Sequence, residues 1–226
     1  MKTFAIKTLG CRVNQNESSV LFDELIKKGL KEVAFNEKAD FYIINTCTVT
    51  AKSDTTARYF IRHARRTNPD SKIIVTGCFV QRDAQDKTLL EEADLLVGNA
   101  GKLNIANLLL ECDFSNSSEF GTMVSDIFEE KIFSDKQVFS SVMTFSGGRT
   151  RANIKIQDGC NFRCHYCIVP YVRGKSRSNP LANVVEQAKI IADKGYKELI
   201  FTGIHLGQWG LDLEPKNNLA GLLKEI

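Results

Sequence analysis

Long apolar runs are missing from this chain: none approaches the ~18 residues that a membrane-spanning helix needs. A signal-peptide layout is missing too. Met1-Lys2-Thr3-Phe4-Ala5-Ile6 leads straight into a strand-like segment and then a cysteine, so the expected location is the cytoplasm, with no membrane partner. The chain lacks a dominant charge. Its net charge is only +3, and any nucleic-acid binding must come from local basic patches. Disulfides are not expected in that compartment, where the seven cysteines read as metal ligands or catalysts. What is also lacking is a fourth cysteine in either of the two groups that the cysteines form. The 226 residues, 43% of them hydrophobic, are enough for one large domain or two smaller ones with a sizeable core.

The first group lies in Gly159-Cys160-Asn161-Phe162-Arg163-Cys164-His165-Tyr166-Cys167. Three thiols this close can all reach one metal centre, because cysteine sulfur is a soft ligand for iron–sulfur clusters and for zinc. A structural zinc site is normally closed by four ligands, and an ordinary ferredoxin run supplies four cysteines. Three cysteines therefore suggest a four-iron cluster with one iron left open to something other than protein. A zinc loop completed by His165 or a distant residue is the alternative.

The second group emerges from the order of elements in the first half. Residues 4–9 read as a strand ending at Gly10-Cys11, and residues 16–28 have helical spacing and stop at Gly29. Residues 40–45 are a near-continuous apolar run, as in a buried parallel strand, and end at Thr46-Cys47. A helix over 51–66 closes at Asn68-Pro69, and a third strand over 72–76 ends at Gly77-Cys78. A helix over 81–92, a short strand over 94–98 and a helix over 103–111 complete the domain. Strands alternating with helices predict an open, mostly parallel α/β sheet. Cys11, Cys47 and Cys78 each fall just past a strand end, and open α/β sheets bind ligands outside those carboxyl ends. The three thiols are thus expected at one edge, as a second cluster with an open iron. Three unrelated free thiols are the plain alternative. Cys112, at the end of the last helix, reads as a free thiol.

Residues 1–112 form this domain, residues 113–147 read as an interdomain connection with weak strand-like pieces near 123–128 and 137–145, and residues 148–226 open a second unit. There, residues 152–157 alternate as a strand and deliver Cys160 at its carboxyl end. A helix over 181–194 and a strand over 198–201 follow, the latter ending at Thr202-Gly203-Ile204-His205. A further helix begins at 219. Two strand–helix units cannot close a barrel, so the sequence is expected to be part of a longer protein.

Cys160-x3-Cys164-x2-Cys167, with Tyr166 before the third cysteine, resembles the signature of radical S-adenosylmethionine (SAM) enzymes. Together with Leu9-Gly10-Cys11-Arg12-Val13-Asn14-Gln15, Asn45-Thr46-Cys47, Thr76-Gly77-Cys78, Gly148-Arg149-Thr150-Arg151-Ala152, Ile156-Gln157-Asp158-Gly159-Cys160 and Val169-Pro170-Tyr171-Val172-Arg173-Gly174, it resembles the methylthiotransferases. The opening motif and Thr202-Gly203-Ile204-His205-Leu206-Gly207 are most like the branch acting on N6-threonylcarbamoyladenosine.

The resemblance implies a second domain that begins a radical-SAM (β/α) partial barrel. It implies two 4Fe-4S clusters, one on Cys160, Cys164 and Cys167 and one on Cys11, Cys47 and Cys78. It implies SAM on the open iron of the first, with Tyr166 near the adenine and Thr202, Gly203 and Arg177 around the cofactor. The implied reaction adds a methylthio group to C2 of the modified adenosine beside the anticodon of tRNA. An electron from a reducing donor cleaves SAM, the deoxyadenosyl radical takes hydrogen from the base, and sulfur comes from the second cluster. The isopentenyladenosine branch and the branch acting on a ribosomal-protein aspartate are alternatives. A zinc-stabilised nucleic-acid-binding module and an iron–sulfur electron carrier are further ones.

For contact with RNA, Arg58, Arg62, Arg65 and Arg66 share one broad helix face. Arg149, Arg151, Arg173, Lys175 and Arg177 form a second basic group beside the metal loop. His63, His165 and His205 are not required as metal ligands, although His205 is placed to line the cofactor pocket. Trp209 has no assignment from sequence.

Overall fold

A computed structural model describes residues 1–83, 92–111, 121–127 and 151–226. The expected features over 84–91, 137–145 and 147–150, including Arg149, and Cys112, lie outside the described residues. The chain divides into two compact units, Met1–Ile132 and Phe133–Ile226.

The first unit is built on a six-stranded sheet in which every pairing is parallel. Its strands are β1 (Thr3–Thr8), β2 (Lys31–Glu32), β3 (Phe41–Thr46), β4 (Lys72–Gly77), β5 (Leu95–Val97) and β6 (Thr122–Met123), in the order β2-β1-β3-β4-β5-β6. Four helices accompany them among the described residues: α1 (Arg12–Lys27), α2 (Ala51–Thr67), α3 (Cys78–Asp83) and α4 (Ile105–Glu111). All six residues of β3 are buried because helices cover both faces of the sheet. Tyr42 and Ile44 enter a core layer with Ala57, Ile61 and Ala64 of α2. Phe41 and Ile43 enter the opposite layer with Leu21 and Leu25 of α1 and Ile105 and Leu109 of α4. The alternation along β3 is the two-residue period of a strand.

Two differences from the sequence reading have physical causes. Helix α1 begins at Arg12, four residues earlier than its apolar spacing indicates. Its first turn is polar, and the polar groups are used inward: Asn14 is fully buried. The strand-like piece expected near residue 123 is β6, which extends the first sheet alongside β5. The main-chain amides of Leu96 and Gly98 donate to Gly121 and Met123, so this short segment is held by backbone bonds.

In the second unit β7 (Ala152–Lys155) pairs in parallel with β10 (Leu199–Thr202). The crossover between them carries the short helix α5 (Val169–Arg173) and the longer α6 (Leu181–Asp193). Val184, Ala188 and Ile191 of α6 pack on Ala152, Ile154 and Ile156. Helix α7 (Leu219–Glu225) adds Leu222 to this core, and its N-terminus is capped by the Asn218 side chain. The expected strand over 152–157 is divided. After Lys155 the chain turns, and β8 (Gln157–Asp158) pairs antiparallel with β9 (Arg177–Ser178). Among the described residues no helix is long and apolar enough to cross a membrane.

Candidate metal centres

Strands β1, β3 and β4 are neighbours in the sheet, and neighbouring strands lie about 4.8 Å apart. Cys11, Cys47 and Cys78 follow the carboxyl ends of these three strands. Thr46 pairs with Gly77, so Cys47 and Cys78 leave their strands at the same level. Cys11 is the N-cap residue of the 16-residue α1. Cys47 and Cys78 are buried and Cys11 is exposed. Burial pushes the Cys47 thiol above its ordinary value. The amides of Val49 and Thr48 pull the other way, while Cys78 and Cys11 add to the rise.

Buried amides hold the edge in shape. Asn14 donates through Nδ2 to the carbonyls of Leu9 at 2.9 Å and Thr46 at 2.8 Å, which ties the Cys11 loop to the end of β3. Asn45 donates to the Asn14 carbonyl at 3.0 Å and to Ser18 Oγ at 2.9 Å. Gly10 has φ +92°, and a Cβ there would lie 2.4 Å from Cys47 Cβ and 2.7 Å from its sulfur. Only glycine lets the Cys11 loop come this close to Cys47.

In the second unit the thiol loop is clamped along one side. The Cys160 amide donates to the Gly174 carbonyl at 3.1 Å, and the Ser176 amide donates to Asn161 Oδ1 at 2.9 Å. Gly159 has φ +69°, and a Cβ there would lie 2.0 Å from the Lys175 carbonyl oxygen. The Cys167 amide donates to the Cys164 carbonyl at 2.9 Å and closes the last turn. Cys164 is exposed, and Cys160 and Cys167 are half-buried. Tyr166 is 91% exposed, an unusual position for a large aromatic and one that leaves its face open to a ligand.

Gln157 links this loop to the next strand end. It is fully buried, and its Nε2 donates to the carbonyls of Asp158 and Gly159 and to Ser176 Oγ. Its Oε1 accepts from the His205 amide at 2.8 Å. Thr202 is buried at the end of β10, and a Cβ on Gly203 would lie 3.0 Å from Gln157 Cβ. The Gln157 side-chain amide therefore joins the thiol loop to His205, two residues past Gly203. His205 lies against Phe162 of the loop, with ring centroids 5.4 Å apart.

The basic residues are used differently from the sequence reading. Arg173 is buried and donates to Asp158 Oδ1 at 3.0 Å, beside Lys155 at 3.2 Å from Oδ2. Arg177 donates to the carbonyls of Lys175 and Arg173 and stands 3.8 Å from Asp158. Arg151 faces Glu198 at 3.6 Å, and Lys175 is exposed. On α2, Arg62 pairs with Glu92, Arg65 reaches Asp94 and the carbonyls of Pro69 and Ser71, and Arg58 lies over the Phe79 ring. Arg66 is exposed. The expected cationic face on α2 is thus largely committed within the unit. His63 stacks with Phe35 and Tyr59, and His165 is exposed. Trp209 is a core residue, fully buried, with Nε1 donating to the Asn179 carbonyl at 3.0 Å.

The close spacing of Cys160, Cys164 and Cys167, and the place of Cys11, Cys47 and Cys78 past strand ends, were legible in the sequence. Asn14, Asn45 and Gln157 were not, although a polar residue inside an apolar strand pattern marks Asn45 and Gln157. Among the described residues no three His, Cys, Asp or Glu side chains converge on one common ion. The fit to a cluster rests on the donor set, all thiol in each trio, and on a cluster offering a separate iron to each thiolate.

A parallel α/β sheet with three edge thiols is followed by a β/α unit opened by CxxxCxxC, the arrangement that resembles radical SAM enzymes. Residues 154–207 match the Radical SAM superfamily, and residues 3–98 match Uncharacterized protein family UPF0004. The chain is 41% identical to a threonylcarbamoyladenosine tRNA methylthiotransferase MtaB of Aquifex aeolicus, across 98% of this chain and 52% of that protein. It is 37% identical to the Bacillus subtilis protein of the same name, across 100% and 48%. It is 31% identical to the tRNA-2-methylthio-N(6)-dimethylallyladenosine synthase of Thermotoga petrophila, across 98% and 48%. The chain thus spans about half the length of the curated relatives it matches. Among solved structures, the radical SAM methyltransferase TsrM of Kitasatospora setae, with tryptophan and a SAM analogue bound, shares the fold with a TM-score of 0.62 at 16% identity, across 100% of this chain and 50% of that one. Over nearly its whole length the chain is thus similar to tRNA methylthiotransferases, and its second part matches the Radical SAM superfamily.

Proposed function

We propose that the protein adds a methylthio group to C2 of N6-threonylcarbamoyladenosine beside the anticodon of tRNA. One observation carries the reading: two all-thiol trios, one just past the carboxyl ends of three parallel strands and one in the loop after β8, occur in a chain whose relatives bear that name. Cys160, Cys164 and Cys167 would hold one 4Fe-4S cluster, and Cys11, Cys47 and Cys78 a second. When bound, a four-iron cluster with an open iron supplies the electron that reductive cleavage of SAM requires, drawn from an external reducing donor. Tyr166 offers its exposed face to the adenine. Thr202 and Gly203 border the cofactor, and Arg177 braces the loop backbone beside it. Gln157 keeps that border in register with the thiol loop through its shared hydrogen bonds. In the first unit Asn14 and Gly10 keep the Cys11 loop against Cys47. A tRNA substrate places the enzyme in the cytoplasm.

The test uses full-length protein and tRNA from a strain lacking methylthio-adenosine. Mass spectrometry of digested tRNA should show conversion of threonylcarbamoyladenosine to its 2-methylthio form. Conversion of the isopentenyl nucleoside instead would move the protein to that branch. Modification of a ribosomal-protein aspartate with neither nucleoside changed would sink the tRNA reading. Zinc and no iron in anaerobically purified protein would sink the enzymatic one.

A further inference from the structure

Strand β5 is the next neighbour of β4 in the sheet, and the loop after it carries Asn99 to the same edge as the first trio. Asn99 Nδ2 lies 3.7 Å from Cys78 Sγ, within hydrogen-bonding reach of sulfur. Gln81 sets that approach. Cys78 and Gln81 are three residues apart on α3 and so share a face. Gln81 Oε1 accepts from the Asn99 backbone amide at 3.0 Å, while its Nε2 donates to the Ser125 carbonyl at 3.0 Å. The helix that begins with Cys78 thus holds the loop whose side chain turns back onto Cys78.

We propose that Asn99 is a positioning residue whose amide donates to the Cys78 thiolate and raises the reduction potential of the cluster on Cys11, Cys47 and Cys78. This rests on the reading that those thiols hold a cluster. Hydrogen bonds to ligand sulfur are among the levers that set cluster potentials, because they favour the more negative, reduced state. Cys78 is only 7% exposed, so water is poorly placed to replace a lost donor. Asparagine supplies the donor without a charge. Aspartate at the same place would set a carboxylate against the thiolate.

The experiment uses full-length protein carrying Cys160→Ala, Cys164→Ala and Cys167→Ala, reconstituted anaerobically with iron and sulfide, so that the first-unit site stands alone. The reduced fraction is read by EPR and visible absorption at a series of poised potentials. At the potential where this parent is half reduced, Asn99→Leu should lower the reduced-to-oxidised ratio about threefold to tenfold, the worth of one hydrogen bond. Asn99→Asp should lower it further. Gln81→Leu, which only loosens the Asn99 loop, should lower it less. Iron content and melting temperature should stay at the parent's values, which separates tuning from a structural role. An unchanged ratio in Asn99→Leu with iron retained would overturn this inference and leave the cluster reading standing. A parent that takes up no iron would overturn both.

Discussion

The two cysteine trios are brought together by opposite routes. The second-unit trio is local. Its thiols lie between Cys160 and Cys167, and the loop is held by the Cys160 amide on the Gly174 carbonyl and by Asn161 Oδ1 accepting from the Ser176 amide. The first-unit trio is assembled from Cys11, Cys47 and Cys78, and exists only once β1, β3 and β4 have paired. Closing a short loop costs little chain entropy, while closing two long ones costs more and must be offset by sheet and core. The local trio is correspondingly open to solvent at Cys164, whereas two of the three sulfurs in the assembled trio are buried. A site made by tertiary structure should fail with its domain, and a local one should fail alone.

The largest expected effect separates the trios outright. Replacing Cys160, Cys164 and Cys167 with alanine should abolish SAM cleavage and leave about four of about eight irons. Replacing Cys11, Cys47 and Cys78 should leave SAM cleavage under dithionite and abolish methylthio transfer. Iron analysis and deoxyadenosine release measure both, and loss of all iron in either variant would show that the sites are not independent.

Next come the glycines that permit each close approach. Gly10→Ala and Gly159→Ala should each cost about 2 kcal/mol or more through a strained left-handed backbone, before the clash with Cys47 or Lys175 is counted. The comparison predicts different readouts. Gly10→Ala should lower the melting temperature of the first unit together with its iron. Gly159→Ala should weaken SAM binding while the first-unit iron is retained. Coincident loss of both sets of iron in either variant would break the distinction.

Tyr166→Ala sharpens the local side. With 91% of the residue exposed, removing the ring should change stability by no more than about 0.5 kcal/mol. Equilibrium binding to the reconstituted protein should nevertheless show SAM affinity down about threefold to tenfold, the worth of one aromatic contact. Unchanged affinity would remove Tyr166 from the cofactor site.

The smallest effect concerns the far end of the sheet. Asp40 accepts from the Thr3 amide at 2.6 Å and Thr3 Oγ1 at 2.7 Å, joining the starts of β1 and β3. Partial burial works to raise its pKa, but the Thr3 bonds together with the charges of Lys2 and the N-terminus outweigh it and hold the carboxyl below the ordinary 3.8. A carboxyl lowered on folding contributes stability above its unfolded pKa and loses it as the pH falls through the folded value. Asp40→Asn should therefore melt slightly below wild type near neutrality, and denaturant curves should converge on acidification below about pH 4. Iron content should not change, because the contact lies at the opposite end of the strands from the thiols. A gap that widened in acid would contradict this sign.

Much of this was readable from residue order. The apolar run ending at Thr46-Cys47 marks β3 as a buried parallel strand, and β3 is buried throughout. The start of α1 was not readable, because its first turn is polar and apolar spacing is silent where polar side chains point inward. The arginines of α2 show the same limit from the surface side. Their spacing gives a shared face, but Glu92 and Asp94, which engage Arg62 and Arg65, come from a distant part of the chain.

By itself the sequence determined the two groups of three thiols, the alternation of strands and helices, and the delivery of Cys11, Cys47, Cys78 and Cys160 past strand ends. These follow from residue type and local periodicity. Tertiary structure alone decided that β1, β3 and β4 are neighbours, that Gln157 joins the thiol loop to the end of β10, and that Asn99 faces Cys78. The physical reason is common to all three. Each is a contact between segments whose separation along the chain carries no local signal, and each depends on sheet order and register.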